Sequence, residues 1–129
     1  MLSTDAFNYV NVLDKAADAS WSRENILTNN IANVNTPGYK RKELNFENTL
    51  KTELGRCKHE SLDSKMKDVD LSRLNPSVYV DSSNYSYRLD GSNVDIDTEE
   101  VELASEQIRY QGITAGINGQ FDRMRSVIK

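Results

Sequence analysis

Two neighbouring side chains, Cys57 and His59, are of the types that cysteine nucleophiles use, since a thiolate beside an imidazole is a nucleophile beside its base. Residues at i and i+2 do not face each other on a helix. The surrounding segment, RCKHE, also offers no apolar side chain to shield the pair from water. We therefore interpret both residues as surface side chains, with the thiolate–imidazole pair as the alternative.

A cluster of acidic residues, Asp95, Asp97, Glu99 and Glu100, could bind a hard cation through carboxylate oxygens. Its spacing differs from that of a calcium-binding loop. The pattern also fits a helix start with Asp97 as the cap and Glu100 reaching back three residues later, and this is the interpretation we prefer. The chain has one cysteine and one histidine, which excludes an internal disulfide and a histidine-built metal site. We expect no metal and no cofactor.

The basic run Lys40, Arg41 and Lys42 could contact phosphate groups, but Glu43 and Glu47 follow it closely. With 16 basic and 20 acidic residues the chain has a net charge of −4, so no global positive field exists to attract nucleic acid. Motifs typical of nucleotide-binding loops, zinc proteases and serine hydrolases do not occur. The sequence predicts a protein that is not an enzyme and binds neither nucleic acid nor a small-molecule substrate.

The length of 129 residues fits one domain, since single cores run to roughly 100–200 residues. An apolar fraction of 37% and a mean hydropathy of −0.66 indicate that this domain buries only a small core. The first residues show no basic segment followed by a long apolar run, so a cleaved secretory signal is not predicted. We expect the chain to gain stability by sharing apolar surface with other subunits.

A long helix is predicted over residues 4–34, because apolar residues recur there at steps of three and four, as in a coiled coil. The other faces are rich in Asn, Asp and Ser, so the helix can bury one narrow face against a partner but cannot form a core alone. Pro37 and Gly38 then predict a turn. The apolar seam of this helix consists of Ala6, Val10, Leu13, Ala17, Leu27, Ile31 and Val34.

A second long helix is predicted over residues 97–128, with acidic residues first and basic residues last, as its dipole favours. Gly112, Gly116 and Gly119 interrupt it, each at a cost of about 1 kcal/mol relative to Ala. The Gly112–Gly116 spacing fits either close helix packing or simple helix disruption. Such a helix needs external packing to stay formed. Its apolar seam consists of Leu103, Tyr110, Ile113, Ile117, Phe121, Met124 and Ile128.

The middle of the chain, residues 35–96, contains weaker signals. Residues 42–60 resemble a short helix, residues 61–75 are weakly patterned, and three short strands are predicted at 78–80, at 85–87 and around Val94 and Ile96. The predicted fold is therefore mainly α, with a small β-rich middle. We expect one unit over residues 1–129 in which the long terminal helices pair as a coiled coil.

The segment NNIANVNTPGYK, residues 29–40, resembles the N-terminal signature of the bacterial flagellar axial proteins. A second segment, DGSNVDID at residues 90–97, resembles the DGNNVDxD pattern of the short, B-type proximal rod subunits, with Ser92 in place of Asn. The last helix resembles the closing helix of the same proteins at Gln107, Tyr110 and Gln111, and again from Ile117 to Ile128. The signature residues are Asn29, Asn30, Ile31, Ala32, Asn33, Asn35, Thr36, Pro37, Gly38 and Tyr39.

This resemblance implies a structural subunit of the flagellar basal body rod, exported by the flagellar type III apparatus without a cleaved signal peptide. The implied partners are other copies of the chain, other rod subunits, the membrane-ring adaptor protein and the export gate. The terminal helices would pair into an inner coiled-coil tube. Two alternatives stay open: the sister proximal rod subunit of the C type, and a small cytosolic helical adaptor.

The resemblance also implies an export element, because early axial subunits dock at the export gate through a Phe-x-x-x-apolar segment. Phe46 and Leu50 have this spacing, and on a helix they would share one face. The alternative is that both side chains simply pack inside the subunit.

Overall fold

The computed structural model describes residues 5–58, 61–82 and 89–128, and it is mainly helical with two short strands in the middle. This confirms the predicted fold class. Within these ranges, no helix has both the length and the apolar character that a membrane span requires. In chain order the elements are a 3-10 turn (Asp5–Phe7), α1 (Asn8–Ala32), β1 (Lys42–Asn45), α2 (Glu47–Arg56), α3 (Leu62–Asp68), a second 3-10 turn (Leu71–Arg73), β2 (Ser77–Val80) and α4 (Ile96–Ile128).

The two long helices α1 and α4 pack side by side and form the most extensive contact between elements. Gly116 lies against α1, since a Cβ added there would sit 3.7 Å from Cδ1 of Leu13. α1 ends where the backbone N–H of Asn33 donates to the carbonyls of Asn29 and Asn30. The observed helix is thus shorter than the predicted range of residues 4–34, because the 3-10 turn precedes it and Asn33 caps its C-terminal end. A coiled-coil geometry for the pair stays a prediction.

The two strands form an antiparallel sheet in which Leu44 pairs with Val78. The helix predicted over residues 42–60 is wrong for its first four residues, which form β1, and α2 spans only Glu47–Arg56. The strand predicted around Val94 and Ile96 is also wrong, because Val94 is buried in a loop and Ile96 begins α4. The strand predicted at residues 85–87 lies outside the described residues.

The weakly patterned segment 61–75 contains the short helix α3 and the second 3-10 turn. The hydroxyl of Ser61 caps α3 by accepting a hydrogen bond from the backbone N–H of Ser64, at 3.3 Å. The helix contributes Met66 to the edge of the core. A side-chain cap of this kind compensates for a short helix with few apolar residues.

A small core lies between α1 and the middle of the chain. α1 reaches it through a face that the predicted seam does not include, so this helix is buried on two sides rather than on one. The sheet and α2 cover this face. The buried core residues are Val12, Ala19, Leu44, Phe46, Val69 and Leu74, with Ala16, Ile26, Leu50, Leu54, Cys57, Met66 and Leu71 packed against them.

Candidate functional site

Asn30, in the last turn of α1, is completely buried, and its amide makes four hydrogen bonds. Its Oδ1 accepts from the Tyr39 hydroxyl and from the backbone N–H of Lys42, both at 3.0 Å. Its Nδ2 donates to the backbone carbonyl of Lys42 at 2.8 Å and to the Glu99 carboxylate at 3.0 Å. One side chain therefore fixes the reversal from α1 into β1 and ties it to α4.

The turn after α1 depends on two glycines with positive φ. Gly38 has φ +70, and its backbone N–H donates to the carbonyl of Asp90 at 2.8 Å. Gly91 has φ +83, and a Cβ there would lie 3.7 Å from the Cα of Gly38. The positive φ favours glycine at both positions, whereas the space around them does not require it, since a Cβ would meet no atom within 4 Å at Gly38 and would make only an ordinary van der Waals contact at Gly91. We call the structure formed by residues 29–42 and 90–99 the corner.

Asn93 joins the two halves of the corner. Its backbone N–H donates to the carbonyl of Tyr39 at 3.3 Å, and its Oδ1 accepts from the backbone N–H of Arg41 at 2.7 Å. Its Nδ2 donates to the carbonyl of Asp81 at 3.2 Å, next to the end of β2. The two segments on which the family resemblance rests thus bind each other, which is a reason for them to occur in the same sequence.

Glu99, on the first turn of α4, is only 1% exposed and pairs with Arg41, whose Nε lies 2.7 Å from Oε1. Arg41 also contacts Glu43 at 3.2 Å and Glu102 at 3.5 Å. Burial lowers the pKa of Arg41, but the carboxylates raise it by a larger amount, so the pKa lies above its usual value. Burial raises the pKa of Tyr39, and the charge of Glu99 adds to this. The guanidinium is thus fixed in its charged form beside α4.

A second buried carboxylate, Glu106, lies seven residues along the same face of α4 and is 3% exposed. It accepts a hydrogen bond from the Ser20 hydroxyl and pairs with Arg23 at 3.1 Å and Arg109 at 3.3 Å. The two arginines also hold Glu47 of α2. The hydrogen bonds from Arg23 lower the pKa of Glu47 to about 2. This network connects α1, α2 and α4.

The sequence prediction missed the two buried glutamates. The sequence predicts Asp97 as the cap of this helix, but the actual cap is Asp95, whose carboxylate accepts from the backbone N–H of Asp97 at 3.2 Å and from Thr98 Oγ1 at 2.9 Å. The signal was present, because Glu99 and Glu106 continue the seam spacing around Leu103. Among the described residues, no group of His, Cys, Asp and Glu side chains lies close enough together to hold a metal ion.

The predicted seam residues are unevenly covered. On α1, Val10 and Leu27 are buried and Leu13, Ala17 and Ile31 are half-buried. Two predicted seam residues lie outside the helix: Ala6 is exposed in the 3-10 turn, and Val34, half-buried, follows the end of α1. On α4, Leu103, Ile113, Ile117 and Met124 are half-buried, whereas Tyr110, Phe121 and Ile128 are exposed, increasingly so along the helix. Phe121 is 44% and Ile128 83% exposed.

The other predicted residues take structural positions. Phe46 is buried in the core and Leu50 packs beside it, so in the folded chain both serve packing. Two of the three basic side chains after the turn bind other residues of the chain. Lys40 donates to the Gly91 carbonyl at 3.2 Å, and Arg41 pairs with Glu99. Cys57 lies near the carbonyl of Glu53, and His59 lies outside the described residues. Of the signature residues, Asn30 is buried, Ile31, Asn33 and Tyr39 are half-buried, and Asn29, Ala32, Asn35, Thr36, Pro37 and Gly38 are exposed.

Comparison with known proteins first gives the class of protein to which the chain is similar. The family model described as "Flagella basal body rod protein" matches residues 13–40, which cover most of α1 and the turn after it. The flagellar basal body rod protein FlgB of Bacillus subtilis (strain 168) is 37% identical over 116 residues, covering 90% of this chain and 89% of that protein. FlgB of Borreliella burgdorferi is 30% identical over 115 residues, covering 83% and 85%. FlgB of Escherichia coli (strain K12) is 27% identical over 118 residues, covering 83% of each.

The chain therefore belongs to the FlgB family of flagellar basal body rod proteins. This confirms the resemblance to the B-type rod subunits. These relatives are named as rod proteins and not as enzymes.

Proposed function

We propose that this chain is a structural subunit of the proximal rod, which assembles with its own copies and with other rod subunits through its terminal helices. In this role it links the membrane ring and the export gate to the distal rod. The observation that carries the proposal is the incomplete cover of the seam on α4. Tyr110, Phe121 and Ile128 stay exposed, and their exposed fraction rises along the helix from 36% through 44% to 83%. Apolar side chains left open along a helix seam are typical of a surface that a neighbouring helix covers.

The proposal includes the membrane-ring adaptor protein and the type III export gate as partners, with export across the cytoplasmic membrane without a cleaved signal. The family membership and the similarity over 90% of the chain support a basal body location. The corner supports the assembly role in a second way. The corner fixes the path of the chain from the end of α1 into β1 and the position of the start of α4. Every subunit therefore presents its helix pair at the same angle to the rest of the fold.

The assembly role is tested with Ile117→Asp, because an unpaired carboxylate in an apolar helix contact costs several kcal/mol. The variant is expressed in a strain from which the gene has been deleted. We expect loss of swimming and of hook-basal bodies. The control is Leu62→Asp on α3, an apolar residue that is 53% exposed outside the helix pair and should support normal motility. Normal swimming of the Ile117 variant would contradict the proposed role of the seam.

An export role for Phe46 and Leu50 is a separate part of the proposal. Because Phe46 is buried in the core, the export gate would have to bind the segment before the subunit folds. The test measures secretion of Phe46→Ala in a strain that cannot assemble rods, where packing in the rod has no influence. The control is Phe7→Ala, since Phe7 is outside the segment. A specific drop for Phe46→Ala supports export recognition, whereas unchanged secretion leaves only the packing role.

A further inference from the structure

The two outer edges of the small sheet differ in how their backbone groups are bonded. In an antiparallel pair, residues that exchange hydrogen bonds with the other strand alternate with residues whose N–H and C=O point away from it. The backbone N–H of Asp81 donates to the carbonyl of Arg41 at 2.9 Å, which fixes this alternation along the sheet. The residues whose backbone groups point outward are therefore Lys42 and Leu44 on β1, and Val78 and Val80 on β2.

Side chains cover the outer edge of β1 and leave that of β2 open. Asn30 binds both outward backbone groups of Lys42, and Nη2 of Arg23 donates to the carbonyl of Leu44 at 3.1 Å. Among residues 5–58, 61–82 and 89–128, no group donates to or accepts from the outward backbone groups of β2. A strand edge in this state is a template for a further strand.

The side chains of β2 favour the addition of such a strand. Val78 is 55% and Val80 54% exposed, although Val78 lies opposite the buried Leu44. Directly opposite residues share one face of a sheet, so the two valines extend the apolar face that Leu44 turns to the core. Exposed edges usually resist pairing through charged residues or proline within the strand, and the strand SVYV contains neither. The outer edge of β2 is therefore suited to pairing.

The other face of the sheet indicates the charge of the partner. Arg41 lies there, and within 2.7–3.7 Å of its guanidinium nitrogens the described part of the chain places four carboxylates, those of Glu43, Asp81, Glu99 and Glu102. One cation among four carboxylates leaves an excess of negative charge. Burial raises the pKa of Glu102, and the charges of Glu99 and Glu43 raise it as well. A cationic side chain beside β2 would reduce this excess and could lie against the exposed ring of Tyr79.

We propose that the outer edge of β2 binds an extended segment of a partner protein as a third strand of the sheet. On one face the segment carries β-branched apolar residues, which pack on Val78 and Val80. On the other face it carries Lys or Arg, which lie beside Tyr79 and Asp81. A second copy of the chain fits less well, because the strand Ser77–Val80 that it would offer has no basic residue. This contact goes beyond the proposed function, which uses the terminal helices.

The first test removes one outward N–H group from β2. Val80→Pro deletes this donor but no hydrogen bond to β1, and proline is tolerated at a strand edge that faces solvent. The control, Val80→Thr, keeps the N–H. The probe is a fluorescently labelled peptide, VKVKVK, titrated onto the purified chain. We expect Val80→Pro to weaken binding at least about tenfold, and Val80→Thr to bind within about threefold of the unaltered chain. Equal binding to both variants, or no binding to the unaltered chain at millimolar peptide, overturns the inference.

The second test concerns charge and changes no backbone group, so it also applies if Val80→Pro does not fold. The unaltered chain should bind VKVKVK at least about tenfold more tightly than VEVEVE, and added salt should reduce this ratio. Glu43→Gln should lower the ratio by about threefold, whereas the control Glu100→Gln on α4 should leave it unchanged. Equal affinity of the unaltered chain for the two peptides overturns the inference.

Cross-linking in cells distinguishes the possible occupants of the edge. The photo-reactive residue p-benzoylphenylalanine replaces Tyr79, and the cross-linked peptides are identified by mass spectrometry. Cross-links to an extended segment of another protein that contains Lys or Arg support the inference. Cross-links to residues 83–88 of the same chain, or to Ser77–Val80 of a second copy, overturn it. The rod role is tested separately by the motility of the Ile117→Asp strain, which does not depend on peptide binding at β2.

Discussion

The two halves of the α1–α4 pair are held together by different physical means. Near the corner, buried polar side chains connect the helices, with Asn30, Glu99 and Glu106 almost fully enclosed. Towards the end of α4, apolar side chains such as Ile117 and Met124 face α1 but stay partly exposed. Hydrogen bonds and ion pairs are directional and specify one geometry, whereas apolar contact is not directional and accepts other partners.

This difference indicates a division of labour within one helix pair. The polar half determines how the subunit is folded, because each buried carboxylate has a guanidinium from a different part of the chain as its partner. The apolar half is left for assembly, because its exposed side chains lose water contact only when a neighbour covers them. A buried ion pair is weak evidence for stability, but breaking one is costly, so the polar half should be the more sensitive to single changes.

The largest effect should follow from removing the partner of the most deeply buried carboxylate. Arg41→Met leaves Glu99 without its cation and should lower the free energy of unfolding by about 3 kcal/mol, measured by urea denaturation. The control is Arg73→Met, which breaks an exposed pair with Asp70 at 3.1 Å. That change should cost no more than about 0.5 kcal/mol. Equal, small losses in both variants would mean that the polar half is not specially stabilised.

A smaller loss of unfolding free energy is expected when Gly38, in the turn after α1, is replaced. Gly38→Ala should lower the free energy of unfolding by about 1–2 kcal/mol, because φ is +70 there while a Cβ meets no other atom within 4 Å. Gly55→Ala, at an open helical position without positive φ, should raise it by up to about 1 kcal/mol. Thermal denaturation of both proteins tests this. A stabilised Gly38→Ala would show that the corner does not require its observed backbone conformation.

Much of this architecture is predictable because its signals are local. Seam spacing locates the long helices to within a few residues, and Pro37 with Gly38 marks the turn. The strand β1 is not predictable, because the alternation of side chains in its sequence, KELN, favours a strand only when β2 lies beside it. The burial of Glu99 is not predictable for the same reason, because it depends on two partners far away in the sequence, Arg41 and Asn30. The signature identifies Asn30, yet its four hydrogen bonds depend on Tyr39, Lys42 and Glu99, which lie in three separate segments.

The smallest effect concerns Glu47, which joins the polar half from α2. Its pKa is lowered from 4.5 to about 2, so the stability it contributes is present above pH 4.5 and is lost as the pH falls towards 2. Because its side chain is 56% exposed, we expect at most about 1 kcal/mol. The difference in unfolding free energy between the unaltered chain and Glu47→Gln should shrink between pH 5 and about pH 2. The control is Glu100→Gln on α4. A difference for Glu47→Gln that does not depend on pH would contradict the assigned contact.

Hydrogen–deuterium exchange tests the division between the two halves most directly, when it is followed in the dilute subunit and in the assembled state. We predict strong protection in the dilute subunit around Asn30 in α1 and over residues 99–109 of α4. Amides from residue 113 to 128 should exchange fast in the dilute subunit and become protected on assembly, because their side chains gain cover only from a neighbour. Uniform, strong protection along the whole of α4 in the dilute subunit would contradict the account.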